Sequence, residues 1–315
     1  MVRYPITHQR LLVRIAAHDQ TAKRKQAWPA RSAAALKKAL KNPAAKIPSL
    51  WSEIKPVFAV LQAGKCGFCE RLIGEDAKIA NEQDVEHFRP KKGVVAWPPA
   101  TPIGTEPLPA DMPKSSRSGK GYIHLAFHEL NYVMACKTCN ARFKANYFPI
   151  RKKHDFSAKQ PHLLLAKEEP YLVHPLDEND EDPEKVIGFK GFVAVPAAPG
   201  TDKKRWERGY VGIGFFGLND PSRKDQLLLA RATRLIFLGD RLRDFESAPA
   251  ARRAAAWLEV QREYSIGKDH AGCIRAAIRR YAKGQRDGVL AAIQDARIYY
   301  RSKAGKPTDA PSPPK

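Results

Sequence analysis

The chain has 315 residues, 43% of them hydrophobic, with five Trp, ten Tyr and thirteen Phe. That is enough for two ordinary domains or one larger core with appendages, and too much for a chain disordered throughout. No apolar run reaches 18 residues, which excludes a transmembrane helix, and the N-terminal MVRYPITHQRLLVRIAAH has no apolar centre for a signal peptide, so a cytoplasmic protein is expected. Lys and Arg number 55 against 33 Asp and Glu, a net charge of +22, which reads either as a solvated basic surface or as the mark of a polyanionic partner.

Taken in chain order, residues 1–62 read as a basic, mainly helical region: within 1–60 there are twelve Lys or Arg and only Asp19 and Glu53 as acids. Ser32 to Lys41 has helical composition and Asn42-Pro43 stops it. Ser49 is placed to cap a second helix, with Trp51, Ile54, Val57, Phe58 and Leu61 at helical spacing and Gly64 at its end. Residues 63–160 hold the motifs. Asp84 to Arg89 reads as a short strand stopped by Pro90. The Pro-, Gly- and Ser-rich segment 98–121 is expected to be a mobile loop. Tyr122 to Leu130 reads as helix, Val133–Ala135 as a short strand, and Cys139 opens a helix. Residues 161–217 are mixed, with an acidic loop from Asp177 to Asp182 and two strands, 186–189 and 191–195, joined at Lys190-Gly191. Asn219-Asp220-Pro221 is the expected start of a C-terminal helical region, 218–301, with further helices at 250–264, 270–283 and 286–301. The Pro-rich tail 302–315 is expected to be disordered.

The cysteines are the most specific signal. Cys66, Cys69, Cys136 and Cys139 form two C-x-x-C pairs, CGFC and CKTC, separated by 66 residues. In a chain expected to be cytoplasmic, this pattern reads as metal binding, with a redox or iron–sulfur site as the rival. Two tight turns can aim four thiolates at one zinc ion, and four sulfurs leave no open position, so the site is structural. Cys273 stands alone at helical spacing with Ile274 and Ile278 and reads as a small buried residue.

Three further pieces carry chemistry: Glu86-His87 in DVEHFRPK, Asn131 in HELNYVMAC, and Asn140 directly after the second cysteine pair. A neutral His is the natural base for an attacking water near pH 7. A carboxylate (Glu86) and an amide oxygen (Asn140) suit a hard divalent ion, Mg²⁺ or Mn²⁺. Asn131 is placed to hold the intervening loop by hydrogen bonds to backbone. Asp84, two residues before Glu86 on one strand face, is either an anchor for the site or plain structure. Arg89, Lys91, Arg142 and Lys144 are candidate phosphate contacts or members of a solvated face. His128 and Glu129 are read as orienting the segment before Asn131, Trp51 as core, and Asp177–Asp182 as an exposed loop or helix cap ahead of a cation site.

Framed by CGFCE and CKTCN, the set His87, Asn131, Asn140 resembles the HNH endonuclease motif, the ββα-metal nuclease fold, with Asn in place of the last His. The run Trp51 to Lys55, GKCGFCE, VEHFRPK, the Leu130-Asn131 segment and CNARFKANYFP is similar to the HNH endonucleases of Septu-type and retron-linked prokaryotic defence systems. HPLDENDEDPEKVIGFKGF and FFGLNDPSRKDQLLLAR extend the likeness to roughly residues 50–240. His124 departs from that subgroup, which carries an aromatic there. The resemblance implies an α+β, mostly helical chain with a zinc-stapled ββα-metal core between N- and C-terminal helical regions. It implies a metal-dependent endonuclease, acting on DNA ahead of RNA, in which His87, Glu86, Asn131 and Asn140 form the catalytic set. It also implies an ABC- or SMC-type ATPase partner. The alternative is a catalytically silent zinc-stapled module that binds nucleic acid or its partner.

Overall fold

The computed structural model describes residues 1–42, 46–73, 83–101, 103 and 108–304. The architecture is α+β and mostly helical. Helices α1 (His8–Thr21) and α2 (Trp28–Lys41) open the chain. Thr7 caps α1 by accepting from the Arg10 amide, and α2 stops at Asn42 as the sequence suggests. Ser49 makes no side-chain cap; it precedes a short 3-10 turn, Leu50–Ile54, that runs straight into α3 (Lys55–Leu61) with Pro56 in its first turn.

The centre of the molecule is a hairpin of β1 (Gln83–His87) and β2 (Tyr132–Cys136), antiparallel, with Gln83 opposite Cys136 and His87 opposite Tyr132. Every residue of β2 is buried, so the strand runs through the core as a continuous apolar stretch. A seven-residue π-helix, Thr138–Lys144, follows at once. Two isolated strands of this length are marginal in water. Here α3 and the N-terminal helices pack on the hairpin, and one apolar core gathers Met1, Trp28, Phe58, Cys66, Phe88, Tyr132 and Phe216.

After it come α4 (Leu164–Glu168), α5 (Pro183–Val186, capped by Asp182), a second hairpin of β3 (Ile187–Lys190) and β4 (Val193–Pro196), and α6 (Lys203–Phe215) packed on that hairpin. The long α7 (Leu227–Ser247) with α8 (Ala250–Arg262), α9 (Ala271–Ala282) and α10 (Arg286–Ala304) builds a separate apolar cluster around Leu235, Leu238, Leu242, Ile274 and Ile293. Cys273, on α9, is buried and donates to Gly191 O at the turn between β3 and β4.

Four expectations are corrected. Tyr122 to Leu130 is not a helix but two 3-10 turns, Ile123–Leu125 and Glu129–Asn131. Its helical bonds are intercepted: the Asn131 side chain takes the Leu125 carbonyl, and His128 Nδ1 takes the Leu130 amide. Asn219-Asp220-Pro221 does not start a helix. Asp220 accepts from the Ser222 amide in a tight turn, Asn219 clips both backbone groups of Ala194 in β4, and α7 begins only at Leu227. The helix α6 lies in the segment read as mixed; Gly209, Gly212 and Gly214 weaken its local signal, and packing on the hairpin overrides them. Of the tail, Ser302–Ala304 completes α10, and 305–315 lies outside the described residues. Within the loop 98–121, residue 102 and residues 104–107 also lie outside them, while backbone bonds pair Trp97 with Ser115 and Val94 with Ser118.

Candidate metal centre and adjoining polar site

The first cysteine turn follows α3 directly. Glu70 N donates to Cys66 O, Cys66 N to Arg71 O, and Gly67 N to Met134 O on β2. Gly67 is required by this approach: a Cβ there would lie 2.5 Å from Val133 Cγ1. The second turn is the end of β2 and the start of the π-helix. The four sulfurs of Cys66, Cys69, Cys136 and Cys139 are buried and lie within 4.8 Å of one another. Cys69 Sγ and Cys136 Sγ are 3.8 Å apart, the edge expected of a tetrahedron with metal–sulfur bonds of about 2.3 Å, and all four cysteines are free thiols rather than disulfides. This cluster could hold a zinc ion. Among the described residues it is the one group of three or more His, Cys, Asp or Glu side chains so placed.

Two buried side chains that sequence reasoning missed serve the cluster. Gln62, at the end of α3, donates to Lys65 O and Met134 O and accepts from Met134 N, tying the first turn to β2. The signal was a lone amide one turn after Phe58 on an otherwise apolar face. Arg223 donates to Cys139 Sγ at 3.7 Å and is paired with Asp225, while its other nitrogen holds the Phe216 carbonyl. Four thiolates on a divalent ion leave surplus negative charge, and a buried guanidinium offsets part of it. That accounts physically for the Arg of FFGLNDPSR.

At the other end of the hairpin, Asn131 is fully buried. Its Oδ1 accepts from Arg89 N at 2.8 Å, and its Nδ2 donates to Arg89 O at 3.0 Å and Leu125 O at 3.2 Å. Phe88 N donates to Asn131 O. The chain leaving β1 is therefore clamped to the chain entering β2, as the reading of Asn131 anticipates. The segment is held from outside by Glu129, which accepts from Trp28 Nε1 of α2 and contacts His8 of α1.

His87 sits inside this clamp, 3% exposed. Its Nε2 lies 2.9 Å from Ala126 O. A carbonyl only accepts, so Nε2 carries the proton and Nδ1 keeps its lone pair. Trp51 and Tyr132 meet the ring edge-on at 4.4 and 5.1 Å, so Trp51, half-buried, packs on His87 itself. Burial, with Lys91 nearby, pushes His87 down to about 3, so it is neutral at physiological pH. Lys91 Nζ is 3.5 Å from Nδ1 and 4.4 Å from the Trp51 ring centre.

Asp84 and Glu86 alternate along β1, and Lys91 and Lys144 act on both Glu86 and the His87 ring that ends the strand. Asn140 Nδ2 donates to Asp84 Oδ2 at 2.9 Å, with Lys137 at 2.8 Å from the same oxygen. Lys144 Nζ, wholly buried, is 3.5 Å from Glu86 Oε1. Burial raises the Glu86 carboxyl, opposed by the charges of Lys144 and Lys91. The structure thus gives Asn140 to Asp84, and Lys144 to Glu86.

The four candidate phosphate contacts separate. Arg89 is 1% exposed and bonds Glu168 at 3.2 Å, and Lys144 is buried at Glu86; neither has a surface to offer a polymer, because each ion is neutralised inside the core. Arg142 is exposed and donates to Ile103 O, and Lys91 is the cation at His87. The acidic loop is not an open cluster: Asp180 pairs with Arg208, Glu181 with Arg205 and Arg208, and Asp182 caps α5.

The chain is 29% identical over 150 residues to the Septu protein PtuB of Bacillus mycoides (strain KBAB4); the match covers 48% of this chain and 43% of that protein. The aligned region therefore spans less than half the length of the curated relative. No family model matches the chain, and no solved structure gives a significant match. No helix among the described residues is long and apolar enough to cross a membrane.

Proposed function

We propose that the chain is a metal-dependent endonuclease of the HNH type, the nuclease of a Septu-like anti-phage defence system that works with an ATPase partner, with DNA ahead of RNA as substrate. The observation that carries the reading is His87: a buried, neutral imidazole whose proton is fixed on Nε2 by Ala126 O, leaving the Nδ1 lone pair turned to Lys91. A neutral ring with a defined lone pair is the first requirement of a general base. The oxygen donors Asp84, Glu86 and Asn140 suit a hard ion such as Mg²⁺ or Mn²⁺, which would supply positive charge to the phosphate oxygens. Because Asn140 gives its Nδ2 to Asp84, its Oδ1 is left for another partner. The likeness to a Septu protein supports the defence role.

The test is cleavage of plasmid DNA and total RNA with Mg²⁺ or Mn²⁺, by wild type and by His87→Ala. Wild type should cut, and the variant should lose about 100-fold or more while keeping its zinc and its fold. Equal cutting by both removes His87 from the mechanism. The second reading, a silent zinc-stapled binding module, rests on the engagement of Glu86 by Lys144 and of Asn140 by Asp84. It is the result if neither protein cuts with the ATPase partner present.

A further inference from the structure

The segment Lys91–Gly93 and the loop Gly119–Gly121 run side by side and, with the end of α2, wall a cleft of about 670 Å³. Four basic side chains face it, Lys91, Lys92, Lys120 and His124, with Phe156 at one side and no carboxylate in the lining. Lys92 and Lys120 are exposed and make no ion pair among the described residues; Asp155, next in the chain to the lining residue Phe156, pairs with Lys167. The two backbones touch: a Cβ at Gly121 would lie 2.1 Å from Lys92 O, so glycine is what allows the floor to close. The amides of Gly119 and Gly121 donate to no group among the described residues. Above all, Lys91 both lines this cleft and stands 3.5 Å from His87 Nδ1, so one side chain joins the cleft to the buried candidate base.

We propose that this cleft is the track along which the sugar–phosphate backbone of a single nucleic-acid strand enters the site, with Lys92 and Lys120 as its phosphate contacts and the His124 ring as the surface a base meets. The assignment rests on the nuclease reading for its direction toward His87. Unpaired lysines and free amides are the groups that hold phosphates, and the face of an aromatic ring beside them is the recurring partner of an unstacked base. The volume, in the range of small-ligand pockets, matches individual nucleotides of one strand rather than the width of a duplex. It also gives His124 a role, because its side chain lines the cleft.

The experiment measures binding of labelled single-stranded DNA and RNA 12-mers to the full chain carrying His87→Ala, across a salt series, by fluorescence anisotropy. Lys92→Gln/Lys120→Gln in that background should weaken binding about tenfold or more at low salt and lower the slope of log K against log salt by about 1.4, near 0.7 per lost contact on a single strand. Lys185→Gln/Lys283→Gln, two exposed lysines outside the lining, should leave the slope unchanged. An unchanged slope in the cleft variant, or an equal fall in the control, overturns the assignment, as does a duplex of the same sequence binding as tightly as the strand. The DNA and RNA arms show which sugar is accepted. The two readings fail separately. Cleft-dependent binding by a chain that never cuts sinks the nuclease and keeps the track. Cutting by wild type that Lys92→Gln/Lys120→Gln leaves at the same KM sinks the track and keeps the nuclease.

Discussion

Replacing Asn131 by Ala tests whether the hairpin is clamped as described. The side chain makes three hydrogen bonds, one from Arg89 N and two to the carbonyls of Arg89 and Leu125, in a fully buried setting. At about 1 kcal/mol net per bond the loss is about 3 kcal/mol, rising to roughly 5 if the orphaned Arg89 amide finds no water. That is a large share of a typical stability of about 5–15 kcal/mol, yet small enough to leave a foldable protein. Asn131→Asp sharpens the test: Oδ1 still accepts from Arg89 N, but the second oxygen then faces two carbonyls it cannot bond, so it should cost at least as much. Urea unfolding of zinc-loaded protein reads both. Cleavage should fall in both, because the Ala126 carbonyl that orients His87 lies next to Leu125. His87→Ala is the contrast: Ala126 O keeps its bond from Tyr132 OH at 2.8 Å, so no buried group is orphaned and the loss should be smaller. A cost below about 1 kcal/mol for Asn131→Ala would refute the clamp.

Two more predictions follow from buried titratable groups. Arg223→Met keeps the apolar stem and removes the guanidinium from Cys139 Sγ; zinc affinity, read by competition with a chromogenic chelator, should fall about 10- to 100-fold, and an unchanged affinity would mean the cluster ignores that charge. His174 is fully enclosed, its Nδ1 accepting from Leu176 N and Asp177 N, and burial pushes it down to about 4. Above pH about 6.5 the ring is neutral folded and unfolded; below it the unfolded chain takes a proton that the folded ring refuses until about pH 4. Stability should therefore fall across that window, by up to about 3 kcal/mol from this residue. His87 at about 3 and His270 at about 4 act in the same direction, so His174→Asn should remove part of the slope between pH 7.5 and 5 in urea titrations, and an unaltered slope would show that His174 titrates normally.

The cysteine pairs were legible because metal geometry demands a local spacing, and the strand before Pro90 because Pro cannot donate to a ladder. The segment Tyr122–Leu130 was not. Its helical composition is genuine, but its hydrogen bonds go to side chains of His128 and Asn131, and composition does not see an amide six residues away capturing a carbonyl. Arg89 and Lys144 failed for a related reason. Both look like surface cations by residue type, and only the fold shows that Glu168 and Glu86 meet them in the interior. Gln62 and Arg223 show the limit from the other side: each is one polar residue in an unremarkable run until tertiary contact places it on Met134 or Cys139.

The register of the hairpin carries a last consequence. Cys136 ends β2 opposite Gln83, and Tyr132 begins it opposite His87. The cysteine cluster therefore closes one end of a short ladder and the Asn131 clamp closes the other. The side chains of the proposed catalytic set are divided between them: Asn140 follows the cysteine pair directly, whereas His87 belongs to the clamped end. Stripping zinc leaves four buried thiols with no ion to hold the turns together, and it should loosen the π-helix and the Asn140–Asp84 contact first, with the Asn131 end holding until the whole chain unfolds. Hydrogen exchange on chelated protein reads this residue by residue. Amides 136–144 should lose protection by about tenfold or more, the effect of a local destabilisation of 1.4 kcal/mol or greater, while the amides of Phe88, Arg89 and Asn131 change little. A uniform loss along both strands would show that the two ends are not independent, and that the zinc cluster supports His87 as directly as it supports Asn140.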